Sequence, residues 1–199
     1  MTTTNHAEHM TGAELQTLRE ACNLSREELA SLAGVQARTV KHWENGRAGV
    51  PGDVAALVLG LDAMILKTAT QAGDAIKQLQ NAARPITLRR VGEEDSIFYP
   101  AGAPADLVLL RYHSAEDLDR YRADMAGLPA SVHAAIVGRV RLLAQALGVP
   151  ARVVWFDAEA YEAWRAVAKL PDTETTRTQW AAGQVATQAL PHRADQPPG

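Results

Sequence analysis

The stretch Ser25-Arg-Glu-Glu-Leu-Ala-Ser-Leu-Ala-Gly34-Val-Gln-Ala-Arg-Thr-Val40-Lys-His-Trp-Glu-Asn-Gly46-Arg47 decides how the N-terminal part of this 199-residue chain folds. Ala30 is small where two helices must cross closely, and Gly34 can take the positive φ of a helix end without steric cost. Val40 is an apolar residue that is expected on the buried side of the second helix. This spacing predicts a helix-turn-helix, a unit whose second helix can lie in the major groove of DNA.

Residues that start and stop helices agree with this prediction. Ser25 is followed three residues later by Glu28, and Thr11 is followed three residues later by Glu14. Each pair has the spacing of a capping box, in which the two side chains satisfy the free amides of a first helical turn. Gly46 is expected to end the second helix of the pair after Asn45.

Polar side chains on the second helix distinguish two interpretations. A helical hairpin that only packs against the rest of the protein gives no reason for an outward polar face on a helix anchored by Val40 and Trp43. A DNA-reading helix does, because such side chains reach base edges and phosphates. The outward residues are Gln36, Arg38, Lys41 and His42.

Family resemblance strengthens the second interpretation. The pattern Leu24-Ser25, Leu29-Ala30, Gly34-Val35, Thr39-Val40 and Trp43-Glu44-Asn45-Gly46 resembles the Cro/CI-type (XRE) helix-turn-helix domain of phage repressors. A further set is similar to the anti-CRISPR-associated autorepressors: Glu14-Leu15-Gln16, Leu18-Arg19, Trp43-Glu44, Gly46-Arg47, Val50-Pro51 and Asp53-Val54. Those proteins have an N-terminal DNA-binding part and a small C-terminal dimerisation part. Beyond Val54 the likeness is one of layout alone.

The resemblance implies which residues read bases. It places base contacts at the start and on the outward side of the second helix, which here means Gln36, Ala37, Arg38 and His42. Arg38 is the best candidate for a two-pronged contact to guanine O6 and N7, worth about 1–3 kcal/mol of discrimination. Ala37 offers only a methyl contact, for example to thymine, where some phage repressors have an amide side chain.

Contacts to the DNA backbone are expected from a second group of residues. These are Arg26, Thr39, Lys41, Asn45 and Arg47. Arg26 begins the first helix of the pair, and Asn45 is expected to serve the helix end with its backbone amide near a phosphate. For Glu44 we favour a structural role, namely packing and hydrogen bonding at the helix end.

Composition excludes several classes of protein. The formal net charge of −3 argues against a nonspecific DNA-coating protein, which needs many cations to displace counterions. Cys22 is the only cysteine, so no intrachain disulfide and no cysteine zinc site is expected, and it reads as a small core residue. No apolar run reaches the roughly twenty residues of a membrane span, and the polar start lacks a signal region. We therefore predict a cytoplasmic protein with no membrane, metal or cofactor.

The remainder of the chain predicts alternating strands and helices. Helical spacing continues after Pro51. Strands are predicted over 86–91, 96–99, 107–112 and 151–156, with a turn over 92–95 and a loop over 100–104. Helices are predicted after Ser114, over 130–147 and after Asp157. After Pro171 the composition turns polar, which favours disorder.

The predicted fold class is mainly α with an α+β C-terminal part. An N-terminal helix-turn-helix bundle of about five helices precedes a small α+β dimerisation domain. The predicted boundaries are 1–10 for a disordered tail, 11–68 for the DNA-binding domain, 69–85 for a helical connector, 86–170 for the dimerisation domain and 171–199 for a disordered tail. Strand edges and the Trp155/Trp164 region are candidate dimer contacts, although burial in the core is favoured for both tryptophans.

These features favour a repressor that binds an inverted-repeat operator as a homodimer. The family resemblance implies that it regulates its own operon. Catalysis is not expected, because the acidic cluster over 93–95 lies in a turn and His113 and His133 lack metal-ligand spacing. An antitoxin or adaptor that binds a protein partner through its C-terminal part or tail is the alternative, motivated by Trp180 in the polar tail. A ligand-sensing regulator is a third hypothesis, for which the sequence shows no pocket signature.

Overall fold

Helices dominate the structure. The computed structural model describes residues 9–82, 86–88, 96–98 and 107–189. Within these residues there are eight α-helices and four strands. In chain order they are α1 Gly12–Ala21, α2 Arg26–Leu32, α3 Ala37–Glu44, α4 Gly52–Ala82, β1 Ile86–Leu88, β2 Ser96–Phe98, β3 Leu107–Arg111, α5 Ala115–Tyr121, α6 Ala130–Ala146, β4 Ala151–Trp155, α7 Ala158–Ala168 and α8 Glu174–Ala189. The predicted fold class, mainly α with an α+β C-terminal part, is confirmed.

The ends of the first three helices follow the predicted local chemistry. Thr11 caps α1 and Ser25 caps α2, and in both capping boxes the glutamate three residues on bonds back to the cap backbone. Gly34 has φ +67° in the turn between α2 and α3, and Gly46 has φ +69° after α3. Gly34 therefore has the left-handed conformation that the sequence predicted, and Gly46, which was predicted to end the helix, has the same conformation.

A small apolar core holds the N-terminal helices together. Its fully buried members include Leu15, Leu29 and Val40, one from each of the first three helices, and Trp43 covers them. The first turns of α4 complete this core with Val54, Ala55 and Val58. Within the described residues the N-terminal bundle therefore has four helices, where about five were predicted, and the fourth helix continues well beyond the bundle.

Helix α4 belongs to both halves of the protein. It runs unbroken for 31 residues, so the predicted change from domain to connector at residue 68 falls inside one continuous helix. Beyond Val58, its buried residues Leu61, Ile65, Ala69 and Ile76 join a second core formed with the C-terminal elements. The division into domains stays a prediction, and its predicted boundary at residue 68 lies within α4.

The strands form two separate pairs. β1 pairs antiparallel with β2, in the register Thr87 with Ile97. β3 pairs parallel with β4, in the register Leu109 with Val153, and α5 and α6 lie between them in the chain. A parallel pair requires such a crossover connection, which explains why two helices separate these strands.

The C-terminal core is rich in aromatic side chains. Phe156, which follows β4, lies 4.6 Å from Tyr121 and 5.2 Å from Tyr161 between ring centroids. Leu118 and Tyr161 are fully buried beside it. Trp180 of α8 closes the cluster, 5.6 Å from Phe156.

Two predictions fail at this cluster. The polar tail predicted to be disordered from residue 171 is a helix over Glu174–Ala189, in which Trp180 is only 4% exposed. Overall polarity concealed a one-sided apolar face that packs on the aromatic core, and this burial removes the observation that motivated the adaptor alternative. Conversely, Trp155 of β4 was expected in the core but is 49% exposed. Its ring stacks on that of His113, with centroids 4.1 Å apart.

Several further predictions concern the N-terminal tail, segments that lie outside the described residues, and membrane spans. Met10, which the predicted boundaries assign to the disordered N-terminal tail, is buried in the N-terminal core. The tail residues 1–8, the turn over 92–95, the loop over 100–104 and residues 190–199 lie outside the described residues. Among the helices that are described, none is both long and apolar enough to span a bilayer.

The two halves are in direct contact. The hydroxyl of Ser131, at the start of α6, donates to Glu28 at 2.8 Å, and the amide of Asn23 donates to the Ser131 carbonyl at 3.2 Å. Arg139 of α6 forms a salt bridge with Asp62 of α4 at 2.7 Å. The loop between α1 and α2 is therefore held by the C-terminal half as well as by its own core.

Candidate DNA interface

Helix α3 presents one polar, exposed stripe and one buried side. Arg38, Lys41, His42 and Asn45 recur at intervals of three and four residues, which places them on one face. Val40 and Trp43 lie on the opposite side and are buried. The helix is thus anchored from behind, and its polar face is available to a ligand as large as a nucleic acid duplex.

Three of the residues predicted to contact bases lie at the start of α3, and the fourth, His42, lies in its last turn. Gln36 is the N-cap residue of α3 and is exposed, and its side chain makes no capping hydrogen bond. Arg38 is exposed, whereas Ala37 and His42 are half-buried. Arg38 and His42 are therefore on the same face of α3, whereas Ala37 packs against the N-terminal core and Gln36 precedes the first turn. The contacts of all four residues to bases stay a prediction.

The residues predicted to contact phosphate divide into two groups. Lys41, Asn45 and Arg47 are exposed and Thr39 is half-buried, all on α3 or just beyond it. Neither Lys41 nor Arg47, nor Arg38 beside them, has an acidic salt-bridge partner among the described residues. Uncompensated cations on one exposed face give a local positive potential despite the acidic net charge of the chain.

Arg26 belongs to a different arrangement. Its Nε donates to Oε2 of Glu44 at 2.5 Å, so the side chain is fixed within the protein. It nevertheless remains 39% exposed at the start of α2. A phosphate contact by Arg26 stays a prediction, and the structure adds a role that the sequence did not suggest.

Glu44 is the buried end of this arrangement. Its side chain is 0% exposed, and its other oxygen, Oε1, accepts from Nε of Arg19 at 2.6 Å. Arg19 is 8% exposed and also donates to the carbonyl of Leu24 at 2.7 Å. One carboxylate thus joins α1, α2 and the last turn of α3, which confirms the structural role expected for Glu44.

The electrostatics of Glu44 reflect both its burial and its partners. Burial on its own raises the pKa of a carboxyl group, because the charged form loses hydration. In Glu44 the hydrogen bonds from Arg19 and Arg26 outweigh burial and lower the pKa below the usual 4.5. The carboxylate is therefore charged at neutral pH and holds both guanidinium groups in place.

Gly12 sets how closely α1 approaches the recognition helix. A Cβ atom at this position would lie 2.3 Å from the carbonyl oxygen of Trp43 and 2.5 Å from that of Glu44. Both are backbone atoms, which cannot rotate away. Neither this contact nor the pairing of Arg19 with Glu44 could be predicted from sequence, because both depend on how α1 packs across the end of α3.

Comparison with known proteins agrees with the geometry over the N-terminal part. Residues 11–64 match the profile of a family described as a helix-turn-helix domain, and this match covers just over a quarter of the chain. It begins at the capping residue of α1 and ends within α4, so it contains the whole exposed stripe of α3. No curated protein matches the chain. The N-terminal part is thus a helix-turn-helix DNA-binding domain.

Proposed function

We propose that this protein is a transcriptional repressor that binds an inverted-repeat operator as a homodimer and regulates its own operon. The observation that carries the proposal is the exposed stripe of α3, whose cations are unpaired among the described residues while the helix itself is fixed by a buried carboxylate. A rigid helix with a free cationic face is suited to reading base edges while neighbouring residues contact phosphate. A regulator in the cytoplasm, rather than an enzyme, is the class of protein that this arrangement supports.

Dimerisation follows from the energetics of a single module. One helix-turn-helix makes few phosphate contacts and buries modest area, so a monomer is expected to bind weakly. Two modules linked through a dimer contact gain effective concentration, and two-fold symmetry places the half-sites about one helical turn or a multiple of it apart. The Cro/CI-type resemblance and the autorepressor-like layout support the repressor and autoregulatory parts of the proposal.

The exposed residues of β4 are our candidate dimer contact. Trp155 is half-exposed, and Arg111 lies over its ring at 4.7 Å. Val153, two residues earlier on the same strand, is 43% exposed. Aromatic residues and arginine are enriched at the centres of protein interfaces, which favours this face over the polar helices around it.

A titration of DNA with paired variants tests the proposal. Footprinting of the region upstream of the gene locates the operator, and fluorescence anisotropy then gives affinities for the operator and for a scrambled duplex. Arg38→Ala is expected to weaken operator binding by about 1–3 kcal/mol and to relax preference at one base position in each half-site. Arg47→Ala is the matched control, which should weaken both duplexes alike and reduce the salt slope.

Three results would count against the proposal. Binding of no duplex at low ionic strength contradicts the DNA-binding function itself. An unchanged base preference in Arg38→Ala contradicts the assignment of the reading face. A Trp155→Ala variant that remains dimeric by light scattering moves the dimer contact away from β4, and a wild-type chain that is monomeric on its operator contradicts the homodimer.

A further inference from the structure

A cavity of about 220 Å³ lies in the C-terminal half, away from the exposed stripe of α3. Its walls come from α4, β3 and α6, and α8 lies beside them. Most of the lining is apolar: Ala72, Val108, Leu110, Met125, Ile136 and Val140. The sequence showed no pocket signature for the ligand-sensing hypothesis. In the structure, elements that are far apart in the chain pack together and form this cavity.

One residue in the lining of this cavity carries a buried polar atom that lacks a hydrogen-bond partner among the described residues. His133 lines the cavity and is only 4% exposed, and its Nδ1 has no hydrogen-bond partner among the residues that the structure describes. Buried polar atoms are nearly always paired, so each exception calls for an explanation, such as a missing ligand or water. The ring itself is well packed, since it meets Tyr112 edge-on with centroids 5.1 Å apart.

The charge state of His133 limits the chemistry of a ligand. Burial, followed by the nearby Arg122 guanidinium, lowers the pKa of His133 to about 4, so the imidazole is neutral at physiological pH. A neutral imidazole has one nitrogen that donates and one that accepts. A hydroxyl group suits Nδ1 in either case, because it can both donate and accept.

The charged residues at the cavity disfavour an anionic ligand. Arg122 forms two hydrogen bonds of 2.9 Å with Asp124, and Arg177 forms a salt bridge of 2.5 Å with Asp172. Both guanidinium groups are therefore already compensated. Glu174, which also lines the cavity, is exposed and adds a negative charge. A neutral molecule fits this balance better than a carboxylate or a phosphate.

The volume of the cavity limits the size of the ligand. A cavity of 150 Å³ lined by apolar side chains holds benzene, with its six carbon atoms. By proportion, 220 Å³ holds about nine non-hydrogen atoms. We propose that this cavity is a binding site for a small neutral molecule with an apolar ring and one hydroxyl group, such as a simple phenol, whose hydroxyl bonds to Nδ1 of His133.

The site lies on the helix that the two halves share. Thr68 and Ala72 of α4 line the cavity, and the start of the same helix supplies Val54, Ala55 and Val58 to the N-terminal core. Any effect of such a ligand on DNA would rest on the proposed function. The binding itself does not, and it is tested without DNA.

Calorimetric titration of the full chain with two matched probes tests the proposal. p-Cresol and p-xylene have the same number of non-hydrogen atoms, and only p-cresol has a hydroxyl group. We expect saturable one-to-one binding of p-cresol, about fivefold tighter than p-xylene. In His133→Phe, which keeps an aromatic ring but removes Nδ1, the preference for p-cresol should disappear, while the thermal midpoint stays equal or rises.

A second variant guards against indirect effects of the first. Ala72→Leu fills the cavity from α4 and should abolish binding of both probes with the fold intact by circular dichroism. The proposal is overturned if neither probe binds the wild-type chain, which would leave water as the partner of Nδ1, or if p-xylene binds as tightly as p-cresol. Binding of p-cresol by a chain that ignores every duplex would overturn the proposed DNA function and support this site.

Discussion

Replacing Glu44 with alanine is expected to destabilise the protein by about 3–5 kcal/mol at pH 7. The carboxylate is fully buried and bonded to Arg19 and Arg26, so its removal leaves the 8% exposed Arg19 guanidinium without its charge partner. Removing one partner of a buried pair costs this much because the remaining charge stays desolvated. For a chain of this size, about 2–4 °C per kcal/mol gives a fall in Tm of about 6–20 °C.

Urea unfolding followed by circular dichroism measures this loss, and Arg26→Ala is its control. Arg26 is 39% exposed, and Arg19 still compensates Glu44 when it is removed, so we expect a loss of about 1–2 kcal/mol. Substituting methionine for both Arg19 and Glu44 should cost less than the sum of the two single changes, because no buried charge of that pair is left alone.

Either of two outcomes would contradict a buried and charge-paired Glu44. One is a loss below about 1 kcal/mol for Glu44→Ala, which would mean that water or a rearranged side chain compensates Arg19. The other is an equal loss for Glu44→Ala and Arg26→Ala, which would mean that burial does not govern the energy of this cluster.

Three further predictions concern the same half of the protein. Gly12→Ala should destabilise the protein by about 1–3 kcal/mol in the same urea assay, since its Cβ would collide with the Trp43 carbonyl. Gly60 is an exposed residue of α4 with no atom near its would-be Cβ, so Gly60→Ala should stabilise the protein by about 0.5–1 kcal/mol. The same sign for both substitutions would contradict the close contact at Gly12. The pKa of Glu44 is lowered by folding, so its contribution is present above the usual pKa of 4.5 and is lost as pH falls through the folded value. The stability advantage of wild type over Glu44→Gln should therefore shrink between pH 6 and pH 3 (roughly the window of a carboxyl group), and a constant difference would argue against a charged Glu44. Burial, together with the charge of Asp62, raises the pKa of the Cys22 thiol to about 11. A thiol reagent at about pH 8 should therefore react slowly with the native protein and rapidly with the protein unfolded in urea. Equal rates would show that Cys22 is accessible in the native protein.

Local chemistry explains which parts of the fold were predictable. The capping boxes at Thr11 and Ser25 and the glycine turn at Gly34 each depend on residues within about one helical turn. The buried side of α3, with Val40 and Trp43, follows from helical periodicity. The candidate DNA-reading face could therefore be located from the sequence, together with the helix that carries it.

Periodicity and composition do not decide which long-range partner a side chain meets. Trp155 and Trp180 show this, because the tryptophan in a strongly apolar strand is half-exposed while the one in a polar segment is buried against Phe156. Average polarity over a segment describes its composition, whereas burial depends on the single face that packs on a core.

Interactions between residues close together in the chain set the helix-turn-helix, its caps and its exposed polar stripe, and these features could therefore be derived from the sequence. Packing of whole elements brings Glu44 to Arg19, 25 residues away, and places α6 against the first turn of α2 through Ser131 and Glu28, 103 residues apart. The same packing also forms the cavity at His133, whose walls come from elements far apart in the chain. Contacts of this range depend on how whole helices pack, and no local pattern of residues encodes them.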